Sequence, residues 1–302
     1  MVARLTLGLT GATGFVGGHV LDLAIADGHQ VRALTRRPQA PCAGVEWVAG
    51  SLDDRAALER LVEGCDAVIH VAGVINGNAA EFEEGNVAGT AAILATAEAA
   101  IIPRFVHVSS LAAREPGLSL YGASKARSEV LVEASALSSA IVRPPAVYGP
   151  GDRETLELFR MAHRGVVVVP PTGRLSLIHV TDLARLLLAL AASDPRILVE
   201  PDDGRPGGWT HRDFALALGD AVGRRVRVIP APRVLIALAA RADLMVRGAR
   251  AKLTPDRAAY FCHPDWTVSP DHAVAPDLWR PSVDTPAGLA DTVRFYRSCG
   301  WL

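Results

Sequence analysis

The chain has 302 residues, 50% of them apolar and 21% charged, with a formal net charge of −1. That size and balance suit one large domain or two lobes sharing a core, and they argue against long disordered stretches. They also exclude a chain-wide basic field of the kind that holds nucleic acid or an acidic membrane.

The first apolar run, Arg4–Leu9, reads as a buried strand, and Phe15–Asp27 as a helix stopped by Gly28. Leu5–Ala26 is apolar enough to raise a signal peptide or a membrane span. Its five glycines, His19 and Asp22 are better explained by a strand, a turn and a helix. Further strands are expected at Gln30–Leu34, Val45–Ala49, Ala67–Val71, Arg104–Val108 and Ser139–Arg143. Helices are expected between them: one capped by Ser51 or Asp53 and running to Gly64, then Asn86–Ala100 and Ser119–Ala136. Strands alternating with helices imply right-handed crossovers and a parallel sheet covered on both faces. Beyond Tyr148-Gly149-Pro150-Gly151 the pattern loosens. Helices remain at Thr155–Arg164, Thr181–Ala192, Thr210–Val222 and Arg233–Arg247, with a strand at Val166–Val169. The four cysteines have no metal-ligand spacing, the histidines form no metal pattern, and a reduced, cytoplasmic protein is the expectation.

Thr10-Gly11-Ala12-Thr13-Gly14-Phe15-Val16-Gly17 sits between the first strand and the first helix. Three glycines at intervals of three allow a tight turn, close approach of backbone to a pyrophosphate, and close packing of helix on strand. The helix N-terminus then offers free N–H groups to the anion. An ordinary strand-to-helix turn is the competing reading of the triplet alone; its position at the start of a strand–helix–strand unit favours the phosphate. At the end of the second strand, where an acidic residue would hold the ribose hydroxyls of NAD, stand Thr35, Arg36 and Arg37. Two guanidinium groups suit the extra phosphate of NADP, so NADP(H) is the expected cofactor, with NAD(H) as the other choice.

Tyr121-Gly122-Ala123-Ser124-Lys125 places a phenol and an ammonium one helical turn apart, and Ser109-Ser110 ends the preceding strand. With these residues the chain resembles the extended short-chain dehydrogenase/reductase family, also called the NAD-dependent epimerase/dehydratase family. The resemblance is carried in order by Thr10 to Gly17, Asn86-Val87-Ala88-Gly89-Thr90, Phe105 to Ser110, Tyr121 to Lys125, Arg143 to Pro150, and the ending Gly288-Leu289 through Tyr296 to Gly300-Trp301-Leu302. It implies a Rossmann-type doubly wound parallel sheet over residues 1–165, with 175–200 returning to it, and a smaller C-terminal substrate-binding lobe over 201–302. It implies Ser110, Tyr121 and Lys125 as catalytic groups, with Tyr121 and Lys125 also touching the cofactor. Thr10, Gly11, Thr13, Gly14, Phe15, Val16 and Gly17 are the expected dinucleotide contacts, joined by Thr35, Arg36 and Arg37. Val71, Ala72, Gly73 and Val108 would line the cofactor, and Pro144, Pro145 and Val147 would border the nicotinamide. Many relatives carry Asp after the third strand for the adenine; here Ser51 and Leu52 follow Gly50, so either serine substitutes or the contact is absent. Asn86 matches a residue that shapes the site, and it also reads as a helix-start residue.

Free tyrosine, with a pKa of about 10, exchanges protons poorly at neutral pH; a neighbouring ammonium favours its phenolate. The leading expectation is therefore reduction of a carbonyl or oxidation of a secondary alcohol by hydride transfer. A nucleotide-sugar epimerase or dehydratase with tightly held NAD(P) is the alternative. It is weakened because Leu175-Ser176-Leu177, with Arg174 ahead of it, stands where many such enzymes place an arginine before Ile178-His179-Val180. A non-catalytic dinucleotide-binding regulatory or assembly subunit is the third reading, opposed by the intact Ser-Tyr-Lys set. A small-molecule substrate is the expected partner, with no nucleic acid, membrane or metal; the family also leaves room for a homodimer. Asp182 is expected to brace a helix, and Trp209, Trp266 and Trp279 to be structural rather than to line a pocket.

Overall fold

The computed structural model describes residues 4–248 and 253–302, so Lys252 lies outside the described residues. Seven strands form one sheet: β1 (Thr6–Thr10), β2 (Gln30–Thr35), β3 (Val45–Ala49), β4 (Ala67–His70), β5 (Arg104–Val108), β6 (Ser139–Val142) and the segment Ile197–Val199. Their spatial order is Ile197–Val199, β6, β5, β4, β1, β2, β3. Every adjacent pair is parallel. β4 and β5 are buried at every position, as strands covered by helices on both faces must be. The chain leaves β1 toward β2 on one side and returns to β4 on the other, which makes the carboxyl ends of β1 and β4 the switch point where such sheets bind ligands.

Local chemistry sets the crossovers. Asp54, rather than Ser51 or Asp53, caps the helix Arg55–Val62 by accepting from Ala57 N at 3.0 Å. Asp53 is engaged instead by the Ser51 hydroxyl. The helix expected to begin at Asn86 begins earlier: Asn78 and Glu81 form a reciprocal capping box, and Ala79–Phe82 leads through a π-helical stretch, Glu83–Ala88, into Gly89–Ala99. Asn86 is therefore inside a helix, and its helix-start reading is corrected. Ser119 caps the helix Leu120–Ala134 by accepting from Gly122 N.

The chain divides into two compact units. The first comprises residues 1–144, 181–201 and 272–280, and the second 145–180, 202–271 and 281–302. Pro144 and Pro145 end β6, and Ala146–Tyr148 pairs with Leu177–His179 rather than extending the large sheet. Of the stretch 175–200 that was expected to return to that sheet, only Ile197–Val199 pairs in it; Leu175 pairs with Trp209 and Trp266. The second unit is built on Tyr148, Phe159, Trp209, Leu218 and Tyr296, with a parallel pair of strands, Val166–Val169 and Arg227–Pro230, at its side. The three tryptophans are structural: each is buried, and the indoles donate to Asp203, to Tyr260 O and to Asp182 O. Asp182 also pairs with Arg185 in the first turn of the helix Val180–Ala191.

Candidate active site

The glycine turn closes on itself by Gly14 N donating to Gly11 O at 2.9 Å. Gly11 has a φ of 76°, and a β-carbon there would lie 2.7 Å from Ala72 N, so a side chain would be strained and obstructed. A β-carbon on Gly17 would lie 2.0 Å from Gly11 O, which is what lets the helix Phe15–Ala26 sit against the turn. Gly14 differs: its β-carbon would meet only Gly11 O, at 3.2 Å, and its conformation is extended. No side chain caps this helix. The first N–H groups thus face a cradle left open by a glycine whose absence of side chain the protein's own packing does not require, and an anionic pyrophosphate fits it.

Thr10, at the end of β1, ties the turn to the next strand. Its hydroxyl meets His70 Nδ1 at 2.7 Å and accepts from Ala72 N at 3.2 Å, while His70 Nε2 meets Thr90 Oγ1 at 3.1 Å. This fixes Val71, Ala72 and Gly73 beside the turn. Thr35 is buried and makes a local turn, donating to Arg37 O at 2.7 Å and accepting from Arg37 N, which leaves Arg36 and Arg37 exposed at the end of β2. Leu52 packs toward Gly89, leaving no room for a β-carbon there.

Asn86 holds the segment after β4. Its side chain accepts from Val74 N at 2.6 Å, donates to Val74 O at 2.9 Å, and donates to Ser124 Oγ at 2.8 Å. The π-helical turn carries this side chain inward, a use that such turns often serve. Ser124 lies between Tyr121 and Lys125, so Asn86 links the β4 loop to the helix bearing both.

Tyr121, half-buried in the first turn of Leu120–Ala134, has its ring 6.1 Å from that of Phe82. Lys125, one turn on, is buried, and its Nζ donates to Val108 O at 2.9 Å. The same ammonium lies 3.3 Å from where a Gly73 β-carbon would be, so Gly73 keeps its approach clear. Burial lowers the Lys125 pKa to about 8, and Glu129, four residues on, opposes that shift. Ser110 follows β5 and accepts from Ala112 N at 3.2 Å, which leaves its own proton available to donate. Leu111 N donates to Pro144 O at 3.0 Å, placing Pro144 beside this segment. Pro145 and Val147 fall in the second unit.

Behind the ammonium lies a buried ionic cluster that the sequence does not announce. Ser109 donates to Glu129 Oε1 at 2.5 Å, Arg143 grips both oxygens of Glu129, and Arg143 and Arg114 both meet Glu200. The only sequence signals were Glu129 at the fourth position after Lys125 and Arg143 before the two prolines. The cluster pins the helix Leu120–Ala134 to the ends of β5 and β6 and so fixes the height of Lys125. Two buried histidines, His70 and His107, stack with ring centroids 5.5 Å apart. Burial first, then the Lys125 charge, lowers both pKa values, that of His70 to about 3.

A parallel sheet with a glycine cradle at its switch point, and a lysine delivered to the next strand end, defines a Rossmann-type dinucleotide-binding unit. Residues 8–199 match the NAD dependent epimerase/dehydratase family. The ceramide reductase of Caulobacter vibrioides is 41% identical over 318 residues, covering 99% of this chain and 97% of that protein. The 4-hydroxy-2-methyl-3-oxo-4-farnesyl-3,4-dihydroquinoline-1-oxide ketoreductase of Stigmatella aurantiaca is 33% identical over 169 residues, 48% of this chain and 51% of that protein. Among solved structures, MoeE5 in complex with UDP-glucose and NAD shares the fold with a TM-score of 0.74 at 21% identity, covering 97% of this chain and 99% of that one. The chain belongs to the NAD-dependent epimerase/dehydratase family. It is an oxidoreductase of the extended short-chain dehydrogenase/reductase type, using a nicotinamide dinucleotide to move a hydride between cofactor and a carbonyl or secondary alcohol. Among the described residues, no helix is long and apolar enough to cross a membrane.

Proposed function

We propose that this chain is an NADP(H)-dependent reductase of a lipid-like carbonyl, such as that of a ceramide-type molecule, with Tyr121 as proton donor. The carrying observation is the placement of Lys125: buried, one turn beyond Tyr121, with its Nζ on Val108 O at the strand end that leads into Ser110. The relative that matches almost the whole chain is a ceramide reductase, which supports the substrate class. Arg36 and Arg37, displayed by the Thr35 turn, are assigned to the additional phosphate of NADP(H). The pyrophosphate is assigned to Gly11–Gly17, and the nicotinamide ribose to Lys125 and Tyr121. The second unit is assigned the selection of substrate. The thiols of Cys42, Cys65, Cys262 and Cys299 are free, which agrees with a reducing cytoplasm. A second copy of the chain is compatible with this chemistry but not required by it. Arg174 supports this reading over a nucleotide-sugar one, because its guanidinium is engaged by the carbonyls of Gly207 and Gly208.

A nicotinamide dinucleotide held by the glycine turn would supply the hydride for the new C–H bond at the carbonyl carbon. Tyr121 gives its phenolic proton to the carbonyl oxygen, producing the alcohol. Ser110 donates a hydrogen bond to that same oxygen and orients it. Lys125 remains largely an ammonium at neutral pH, since its pKa is about 8. Its charge lowers the cost of the phenolate that Tyr121 becomes.

NADPH oxidation followed at the nicotinamide absorbance band, with a carbonyl panel that includes long-chain keto-lipids, tests the reading. Tyr121→Phe should keep NADPH affinity and lose about 10²–10⁴-fold in rate, the usual worth of a positioned general acid. Full activity of Tyr121→Phe on a confirmed substrate would overturn the assignment.

A further inference from the structure

The helix Arg233–Arg247 of the second unit is held to its neighbours by a narrow stripe. Ile236 and Ala240, one turn apart, are buried in a small cluster with Ala258 and Cys262. At 100° per residue the opposite side of the helix collects Val234, Leu235, Leu238, Arg241, Met245 and Val246 in an arc roughly 140° wide. That side is the exposed one: Val246 is 84% exposed, Met245 82% and Val234 69%. A contiguous apolar stripe turned to water on an otherwise packed unit marks an interaction surface.

Charge identifies the partner. Between Gly223 and Gly248 the sequence carries six arginines (Arg224, Arg225, Arg227, Arg233, Arg241 and Arg247) and one acid, Asp243. Asp243 pairs with Arg247 on the inward side. Among the described residues the other five arginines form no ion pair. The chain-wide balance of −1 conceals this local excess. An exposed apolar arc with Arg241 at its edge, on a segment with an excess of arginines outside any ion pair, has the composition of a helix that lies in the headgroup layer of an anionic membrane.

We propose that the outward face of the helix Arg233–Arg247 docks this protein on an anionic phospholipid bilayer. The helix lies along the membrane plane, with Val234, Leu238, Met245 and Val246 in the acyl boundary and Arg241 among the headgroups. The surface is argued apart from the substrate, although a lipid-like carbonyl gives such a surface an evident purpose.

The test is flotation of the full-length protein with vesicles, read without substrate or turnover. Vesicles of phosphatidylcholine alone are compared with vesicles holding about one third phosphatidylglycerol. Wild type should float with the anionic vesicles, lose that binding as salt is raised, and ignore the neutral ones. Leu238→Ser/Met245→Ser/Val246→Ser and Arg241→Glu should each cut partitioning at least about fivefold, since a single basic residue at an anionic surface is worth about that much. NADPH affinity and thermal midpoint should be unchanged in both, because the altered side chains point outward. Failure of wild type to float, or flotation unaltered in both variants, would overturn the proposal. So would a solution dimer that the apolar variant dissociates, which would make a second copy the occupant. None of these outcomes depends on whether a lipid carbonyl is reduced.

Discussion

Gly14 and Gly17 belong to one motif, but the structure gives them different duties, and alanine separates them. A β-carbon on Gly17 would sit 2.0 Å from Gly11 O and 2.6 Å from Gly11 C, so backbone must move by more than an ångström to admit it. Overpacking of that kind costs about 1–3 kcal/mol or more. At about 2–4 °C per kcal/mol for a domain of this size, Gly17→Ala should lower the thermal midpoint by several degrees. A β-carbon on Gly14 meets only Gly11 O at 3.2 Å, and its φ of −89° is open to any residue. Gly14→Ala should therefore unfold within a degree or two of wild type. Its methyl, however, would stand at the helix N-terminus proposed to hold the pyrophosphate, so NADPH affinity should fall by at least about tenfold, or 1.4 kcal/mol. Scanning fluorimetry gives the midpoints, and fluorescence titration of NADPH at a temperature where both variants are folded gives the affinities. Wild-type NADPH affinity in Gly14→Ala, or a wild-type midpoint in Gly17→Ala, would refute this division of roles.

Three further expectations follow from the same geometry. Arg36→Ala/Arg37→Ala should cost NADPH about 1–3 kcal/mol of binding while leaving NADH nearly untouched; calorimetry with both cofactors decides, and equal losses would remove the phosphate assignment. NADPH binding should weaken as pH rises through about 8, where Lys125 loses its proton, and Lys125→Met should flatten that profile; a wild-type profile with no inflection would separate Lys125 from the cofactor. His70, whose pKa falls from near 6.5 to about 3 on folding, leaves the unfolded chain holding more protons across that window. Stability should therefore decline as pH falls from about 6.5 toward 3, by up to about 1.4 kcal/mol per pH unit for this one group. Urea unfolding at stepped pH should show a shallower decline in His70→Gln.

The sequence carried the alternation of strands and helices because β4, β5 and β6 are short apolar runs bounded by turn residues, a pattern set by burial on both faces. It carried the Tyr121–Lys125 pair because both sit on one helix, where spacing along the chain is spacing in space. It did not carry the start of the helix before Gly89, because a capping box at Asn78 outcompeted the Asn86 signal and a π-helical turn shifted the register. The Glu129–Arg143–Glu200 cluster was likewise hidden: its members are 14 and 57 residues apart, and only the sheet brings them together. Overall charge was the least informative quantity, since the arginines between 223 and 248 are offset by acids elsewhere in the chain.

The distribution of polar groups along the large sheet explains why Lys125 can be buried at all. The strands β1, β4, β5 and β6 are apolar through their middles, and polar side chains stand at or just beyond their carboxyl ends: Thr10, His70, His107, Ser109 and Arg143. An ammonium placed in that layer needs an acceptor and a compensating charge, and it receives Val108 O and the field of Glu129. Glu129 is in turn shared with Arg143, so the lysine is only partly offset and its pKa settles near 8. A protonated His70 or His107 would add a second positive charge beside it with no acid to balance it. Burial removes that option, and the two rings serve as neutral hydrogen-bonding links to Thr10, Thr90 and Ser128. Lys125 thus stands on the helix of Tyr121 beside two histidines whose pKa values burial holds down.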